Sequence, residues 1–493
     1  MSRSWVAISL FSATTVLAMA VPVHITVVDE AGHPMPARVH LKDSSGKPQR
    51  ADKLPFWRDH FVCDGRVDLE LAAGSFSYEI ERGPEFRAAS ESFTAGTGGT
   101  NISVMLARLT DLKREGWWSG ELHVHRAAEE TPLLMQAEDL HVAHNITWWN
   151  ESNLWKDRSI TTNPLTRFDR NRFLHVLSGE DERGGGALLY LNLPLPLDIT
   201  GSRREVPSSM KFLREARVRP GAHVDIEKPF WWDTPLWLAS GMVNTVGIAH
   251  NHMHRSGVLD NEAWGRARDR HKYSGPQGNG RYTQDIYYHA LNCGLRVAPS
   301  AGSASGVLPN PVGYNRVYVH CANELTWEGW HRNLRAGRSF VSNGPLLRCR
   351  ANGELPGHVF RADGPLEVKF DVKLDSRNPI ASIEIVRNGQ AEPLDSTRPF
   401  TIAETGWFLV RAIGDVTNTF RFASTAPWYV EIDGRPRAGQ RESAQYFLDW
   451  CRERIAILEQ ASNLTGEQRE EVIAPWRDAQ KFWQTRLTVR PRP

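Results

Sequence analysis

The chain has 493 residues, more than one hydrophobic core normally serves, so two to four domains are expected. With 59 basic against 57 acidic side chains and a formal charge of +2, it offers no large field for a polyanion, which argues against nucleic acid or an anionic membrane as partner. Eighteen tryptophans are many, and pairs at 117–118, 148–149 and 231–232 fit either core or an aromatic-lined pocket.

The first twenty residues carry Arg3, an apolar stretch from Trp5 to Ala18, and Ala18-Met19-Ala20 before Val21-Pro22. Charged, apolar and small-residue parts in that order predict a signal peptide over 1–20, cleaved after Ala20, and hence a secreted or periplasmic protein. The stretch is short and rich in Ser, Thr and Ala, which disfavours a spanning helix, and no later segment is long and apolar enough for a stable membrane span. Cys63, Cys293, Cys321, Cys349 and Cys451 are odd in number and lack Cys-x-x-Cys spacing, so neither a disulfide framework nor a zinc knuckle follows.

Val23–Val28, the turn Asp29–Pro34 and Ala37–Leu41 alternate as strand, turn and strand, and Val67–Leu71, Phe76–Ile80 and Asn101–Leu106 continue the pattern. Residues 21–108 are therefore expected to form an N-terminal β-sandwich. The run from Val28-Asp29 to Val39 resembles the opening of the carboxypeptidase-regulatory-like modules, which implies a scaffold without chemistry.

From 109 to 345 helical stretches such as Thr131–Leu140 alternate with short apolar strands such as Phe173–Leu177 and Val243–Ile248, the texture of an α/β domain. Within it stands His123-Val124-His125. A strand projects residues i and i+2 from one face, so two imidazoles aimed together make half of a metal site. Polar groups then cluster where apolar strands stop, at Ser178–Arg183, Ala222–Pro229 and His250–His254, and α/β folds gather ligands at the carboxyl ends of their strands. If extended, His223, Asp225 and Glu227 share one face, as do Glu180 and Glu182. Asp225 and Glu182 are then candidates to move a proton, with Glu227 as another base or orienting group. Of the three histidines at 250, 252 and 254, His252 is the one expected near a metal.

These strings, with Gly120-Glu121-Leu122 before the histidine pair, His223 before Pro229 and Gly337-Arg-Ser-Phe-Val-Ser-Asn-Gly-Pro345, resemble the CehA/McbA-type metallohydrolases, the carbaryl-hydrolase-like branch of the PHP superfamily. The resemblance implies a distorted (β/α)7 barrel, a cluster of up to three zinc, manganese or iron ions, and hydrolysis of esters, phosphoesters or carbamates. Carried over, the ligands would be His123, His125, Glu180 and His223. Two departures stand out. Thr147-Trp148-Trp149-Asn150 replaces the usual Thr-Asp-His-Asn, and Gly302-Ser303-Ala304-Ser305-Gly306 replaces Gly-Ser-Asp-x-His. With four ligands lost, the expectation is one divalent ion, zinc before manganese or iron, on His123, His125 and Glu180, completed by His223 or His252. Trp148, Trp149, Asn150 and Arg183 are expected to contact a small-molecule substrate.

Beyond Pro345, Leu366–Leu374, Ile380–Val386 and Trp407–Ala412 read as strands joined by Asn-Gly, Asp and Pro turns, giving a second β-sandwich over 346–432. The segment 433–493 is read as a helical hairpin from Ser443 to Leu487, with Thr465-Gly-Glu-Gln468 as a capping box and Pro475 expected to kink or interrupt the second helix. The fold class is thus multidomain α/β plus all-β: a PHP-type barrel flanked by two β-sandwiches and a C-terminal hairpin. The expected activity is that of an exported hydrolase using water activated by a metal. The alternative is an inactive relative that holds a carbohydrate or other small ligand in a tryptophan-lined cleft.

Overall fold

The computed structural model describes residues 20–322, 324–434 and 440–488, so the signal segment lies, apart from Ala20, outside the described residues. The chain is multidomain and β-rich with an α/β part. It divides into two compact units, one running to Ile80 and including Ala88–Leu106, the other comprising Glu81–Arg87 and everything from Ala107 onward.

In the smaller unit, strand Ala20–Val28 pairs antiparallel with Arg66–Ala72 and parallel with Thr100–Met105. Val21, Val23, Ile25 and Val27 are buried while the residues between them are exposed or partly so, the period of two that the sequence shows. A second sheet orders Phe56–Trp57, His60–Cys63, Ala37–Asp43, Gly74–Glu81 and Ala89–Ala95.

The larger unit opens with seven strands that position the site: β1 (Trp117–Val124), β2 (Val142–Trp149), β3 (Arg172–Arg183), β4 (Gly186–Leu191), β5 (His223–Ile226), β6 (Thr245–Ala249) and β7 (Ala298–Ala301). They pair in that order, all parallel except that β4 runs against both neighbours. After β7 the chain returns to β1, where Ala304 N donates to His123 O at 2.9 Å and His125 N donates to Ser305 O at 2.8 Å. A further strand, β8 (Arg316–His320), lies antiparallel on β1. Helices α1 (Thr131–Ala137), α2 (Ser209–Arg217), α3 (Thr234–Ser240), α4 (Gly278–Asn292) and α5 (Trp327–Arg335) fall between and after these strands. Alternation sorts the side chains: Val224 and Ile226 of β5 join the apolar core, and His223 and Asp225 face the other way, with polar partners.

Strand Ser339–Ser342 pairs both with β8 and with Phe422–Thr425, so the α/β part and the β-rich region after Pro345 share one hydrogen-bonded ladder. The Gly337–Pro345 string does this joining. Ser342 Oγ donates to Pro345 O at 2.6 Å, while Asn343 donates to Phe420 O at 3.0 Å and accepts from Phe422 N at 2.8 Å. Leu347, Phe360, Phe408 and Trp428 lie in a separate apolar cluster of that β-rich region.

The C-terminal helices are α6 (Arg441–Glu459) and α7 (Gly466–Thr488). The capping box is formed reciprocally, with Thr465 N donating to Gln468 Oε1 at 3.0 Å and Gln468 N donating to Thr465 Oγ1 at 3.2 Å. Of the two outcomes expected at Pro475, a kink or an interruption, the interruption does not occur: α7 continues through it. A proline removes one backbone bond, and burial of Val472, Ile473, Trp476 and Ala479 on both sides of it outweighs that loss. Trp483 donates to Pro235 O of α3 at 3.2 Å, and Arg454 of α6 pairs with Asp233 at 3.2 Å and Glu205 at 2.6 Å. Among the described residues no helix is long and apolar enough to cross a membrane. All five cysteines are buried and unbridged.

Candidate metal centre

At the carboxyl end of β1 the strand period aims His123 and His125 to one side, and Glu180 reaches the same point from β3. His123 Nε2, His125 Nε2 and Glu180 Oε2 form a triangle with sides of 2.9, 3.1 and 3.1 Å. Hydrogen bonding does not satisfy this arrangement. A neutral imidazole carries one N–H; protons on both facing nitrogens collide, and none leaves two lone pairs opposed, so at most two sides of the triangle are hydrogen bonds. A shared cation satisfies all three. Ligands held 2.0–2.2 Å from one zinc at tetrahedral angles stand about 3.3–3.6 Å apart, a few tenths of an ångström wider than this triangle, and two imidazoles with one carboxylate are a donor set such an ion takes.

A second group, His40, Asp59 and His60 in the smaller unit, also brings three donor atoms together. Hydrogen bonding accounts for it. His60 Nδ1 is 3.0 Å from Asp59 Oδ1, His40 Nδ1 is 3.2 Å from Oδ2, and Arg38 Nε donates to His40 Nε2 at 3.0 Å. Each imidazole has its own carboxylate oxygen, and the guanidinium opposes a further cation.

Around the first triangle the groups are polar and buried. Glu227, just past β5, places Oε1 3.3 Å from His123 Nδ1, and Asn251 donates to that same oxygen at 2.7 Å. Its other oxygen accepts from Trp231 Nε1 at 3.1 Å and pairs with Lys228. A carboxylate behind the second nitrogen of an imidazole fixes the ring and strengthens it as a ligand. Burial opposes charge on His123, but Glu180 and Glu227 outweigh it and push its pKa up to about 10. For His125 burial prevails and the pKa is lowered. Burial, reinforced by the neighbouring Glu180, pushes Glu182 up to about 7.

The triangle opens into a cleft of about 270 Å³. Trp149, Trp231, Trp264, Leu259, Val307 and Leu308 contribute much of its wall, and Glu182, Lys228, Asn251 and His252 also reach it.

The structure brings together His123, His125, Glu180, Glu182, Trp149 and His252 of the residues singled out from the sequence. His252 lines the cleft with Nδ1 3.0 Å from Asn261 O, outside the three-donor group. Trp149 sits opposite Glu180 in the ladder, its ring 5.0 Å from His125 and its Nε1 donating to Glu182 at 3.2 Å. Asn150 supports Glu182 by accepting from its backbone N at 3.0 Å.

Four expectations require correction. Trp148 is core, packed on Tyr190 and filling the space a side chain at Gly179 would need, because neighbours on a strand point to opposite faces. Arg183 faces away for the same reason and is held by Asp181, Arg203 O and Pro207 O. His223 does face inward, but four residues of strand, about 13 Å, separate it from Glu227. It bonds Thr245 Oγ1 at 2.8 Å, and its ring lies 5.4 Å from His331. Asp225 lies two residues of strand, about 7 Å, before Glu227, takes hydroxyls from Thr245 and Ser300, and does not line the cleft.

Trp264, Lys228 and Asn251 were not anticipated. Trp264 sits in a turn closed by Gly265 N donating to Glu262 O at 2.8 Å, with φ of +63°. That left-handed position suits glycine and costs an L side chain about 1–2 kcal/mol. The residue is 51% exposed, and burial of the other half of so large a side chain, worth about 3 kcal/mol, offsets that cost. The only sequence signal was an aromatic next to a glycine, in a loop without period.

No family model matches the chain, and neither a curated protein nor a solved structure matches it.

Proposed function

We propose that the chain is an exported, metal-dependent hydrolase of the PHP type that cleaves an ester, phosphoester or carbamate bond. The observation that carries this reading is the His123–His125–Glu180 triangle, whose three contacts a shared cation satisfies and hydrogen bonds do not. The run β1 to β7, with one reversed strand and its polar groups at the carboxyl ends, supports the distorted (β/α)7 reading. Export rests on the first twenty residues of sequence.

A zinc ion, or manganese or iron, would supply Lewis acidity and a nucleophile at neutral pH. The protein's own groups do the rest. Glu227 and Asn251 hold the His123 ring in place, and Glu182, steadied by Trp149 and Asn150, faces the cleft as the group that accepts and returns a proton. Trp149 and the aliphatic residues exclude water from the substrate.

A second reading, a binding protein without turnover, is favoured by Trp149 and Ala304, which line the cleft where the resemblance calls for ligands. Metal analysis by inductively coupled plasma mass spectrometry, on mature protein purified without a His-tag, separates the two. About one equivalent of metal is expected, lost in a His123→Ala/His125→Ala variant. Glu182→Gln is expected to keep the metal and lose about 100-fold in kcat on a responsive ester. Absence of metal after exposure to each ion in turn would sink the hydrolase reading.

A further inference from the structure

We infer that the Lys228 ammonium holds the place of a divalent cation beside the His123–His125–Glu180 triangle, and so bars a second ion from the centre. The inference rests on the metal-centre reading and adds what limits the number of ions.

Three observations carry it. First, the ammonium sits where the ligands of a cation gather. Lys228 comes just past the end of β5, beside Glu227 in the chain, and its side chain turns back to pair with that carboxylate. Only 4% of the side chain is exposed, and the ammonium lies 4.5 Å from the centre of the Trp231 ring. An ammonium so buried persists only where a carboxylate compensates its lost hydration. Without it, Glu227 Oε2 would keep only the Trp231 N–H.

Second, that place adjoins the triangle and has oxygens to spare. Glu227 links the two, with Oε1 behind His123 and Oε2 on Lys228. Asn251, 5% exposed and part of the cleft wall, donates to Oε1 at 2.7 Å. Its own Oδ1 is buried and has no hydrogen-bond partner among the described residues. With the ammonium gone, Glu227 Oε2 and Asn251 Oδ1 would be the donors for an ion, and a carboxylate with an amide oxygen suits manganese.

Third, charge sets the limit. Glu180, Glu182 and Glu227, when ionised, bring three negative charges to this side of the cleft. One divalent ion on the triangle and the ammonium balance them. A second divalent ion would leave two positive charges in excess in a buried space, where like charges repel strongly.

Metal content after exposure to excess manganese or zinc and desalting, measured by mass spectrometry, tests the inference on wild type, Lys228→Met, Lys228→Arg and Lys228→Met/Glu227→Gln. Lys228→Met is expected to hold about one equivalent more than wild type, whatever the wild-type count. Lys228→Arg keeps the charge and should match wild type, as should the double variant, which removes the carboxylate along with the ammonium. Manganese should also raise the melting temperature of Lys228→Met more than that of wild type, as an ion bound only by the folded chain does. Lys228→Gln, which keeps an N–H for Glu227 but no charge, gives the same comparison should Lys228→Met fail to fold. Wild type without metal beside a neutral variant with one equivalent would sink the hydrolase reading and support this inference. Equal counts in the neutral variants and wild type, or two ions in wild type, would overturn the inference while leaving the hydrolase reading in place wherever wild type binds metal.

Discussion

Burial sets the protonation of Asp225. Enclosure pushes its pKa up to about 7, against the pull of the Thr245 and Ser300 hydroxyls that donate to Oδ1. A carboxyl raised above its unfolded value, about 3.9, stabilises the fold fully below that value and loses its contribution as pH rises through 7. Asp225→Asn keeps Oδ1 for both hydroxyls and cannot ionise. Its melting temperature should match wild type near pH 4, exceed it by a margin that grows up to about pH 7, and keep that margin above; curves that stay parallel from pH 4 to 7 would mean that Asp225 is charged throughout. The same residue shows what strand periodicity can reveal. It places Glu180 with Glu182 and His123 with His125, because i and i+2 share a face. It should also have separated Trp148 from Trp149 and Arg183 from Glu182, whose parities are opposite. What period cannot supply is height along the strand, and on that ground His223 and Asp225 fell outside the cleft despite facing inward.

Elements were legible where a pattern repeats. Alternating apolar residues announced the strands of the smaller unit, and Thr465 with Gln468 announced the start of α7. Pro475 misled, because a local rule about backbone bonds met a helix with both sides of the proline buried in a shared core. That account makes Pro475→Ala informative: it restores a donor to the Glu471 carbonyl and should raise stability by about 1–3 kcal/mol in chemical denaturation. A loss would show that the helix depends on a bend at Pro475. The Trp264 loop escaped notice for the opposite reason. Loops carry no period, and the left-handed turn that marks Trp264 is a property of the backbone that the sequence does not display.

For the whole molecule, the alternation of helices and strands foretold an α/β part but not how its pieces connect. The Gly337–Pro345 string, the most specific element of the resemblance, lies in the ladder between the α/β and β-rich regions, where Asn343 and Ser342 bond backbone. Its residues hold the architecture together, and the donors of the metal centre come from β1 and β3.

The buried thiols give the fold a built-in clock. Burial pushes the pKa of Cys63, Cys321, Cys349 and Cys451 up, and Cys293 is enclosed as well, so none should react with a thiol reagent under native conditions. Cys63 belongs to the smaller unit and the other four to the larger. In rising denaturant, the order in which mass spectrometry finds them labelled would therefore tell which unit opens first, using only atoms the protein already carries.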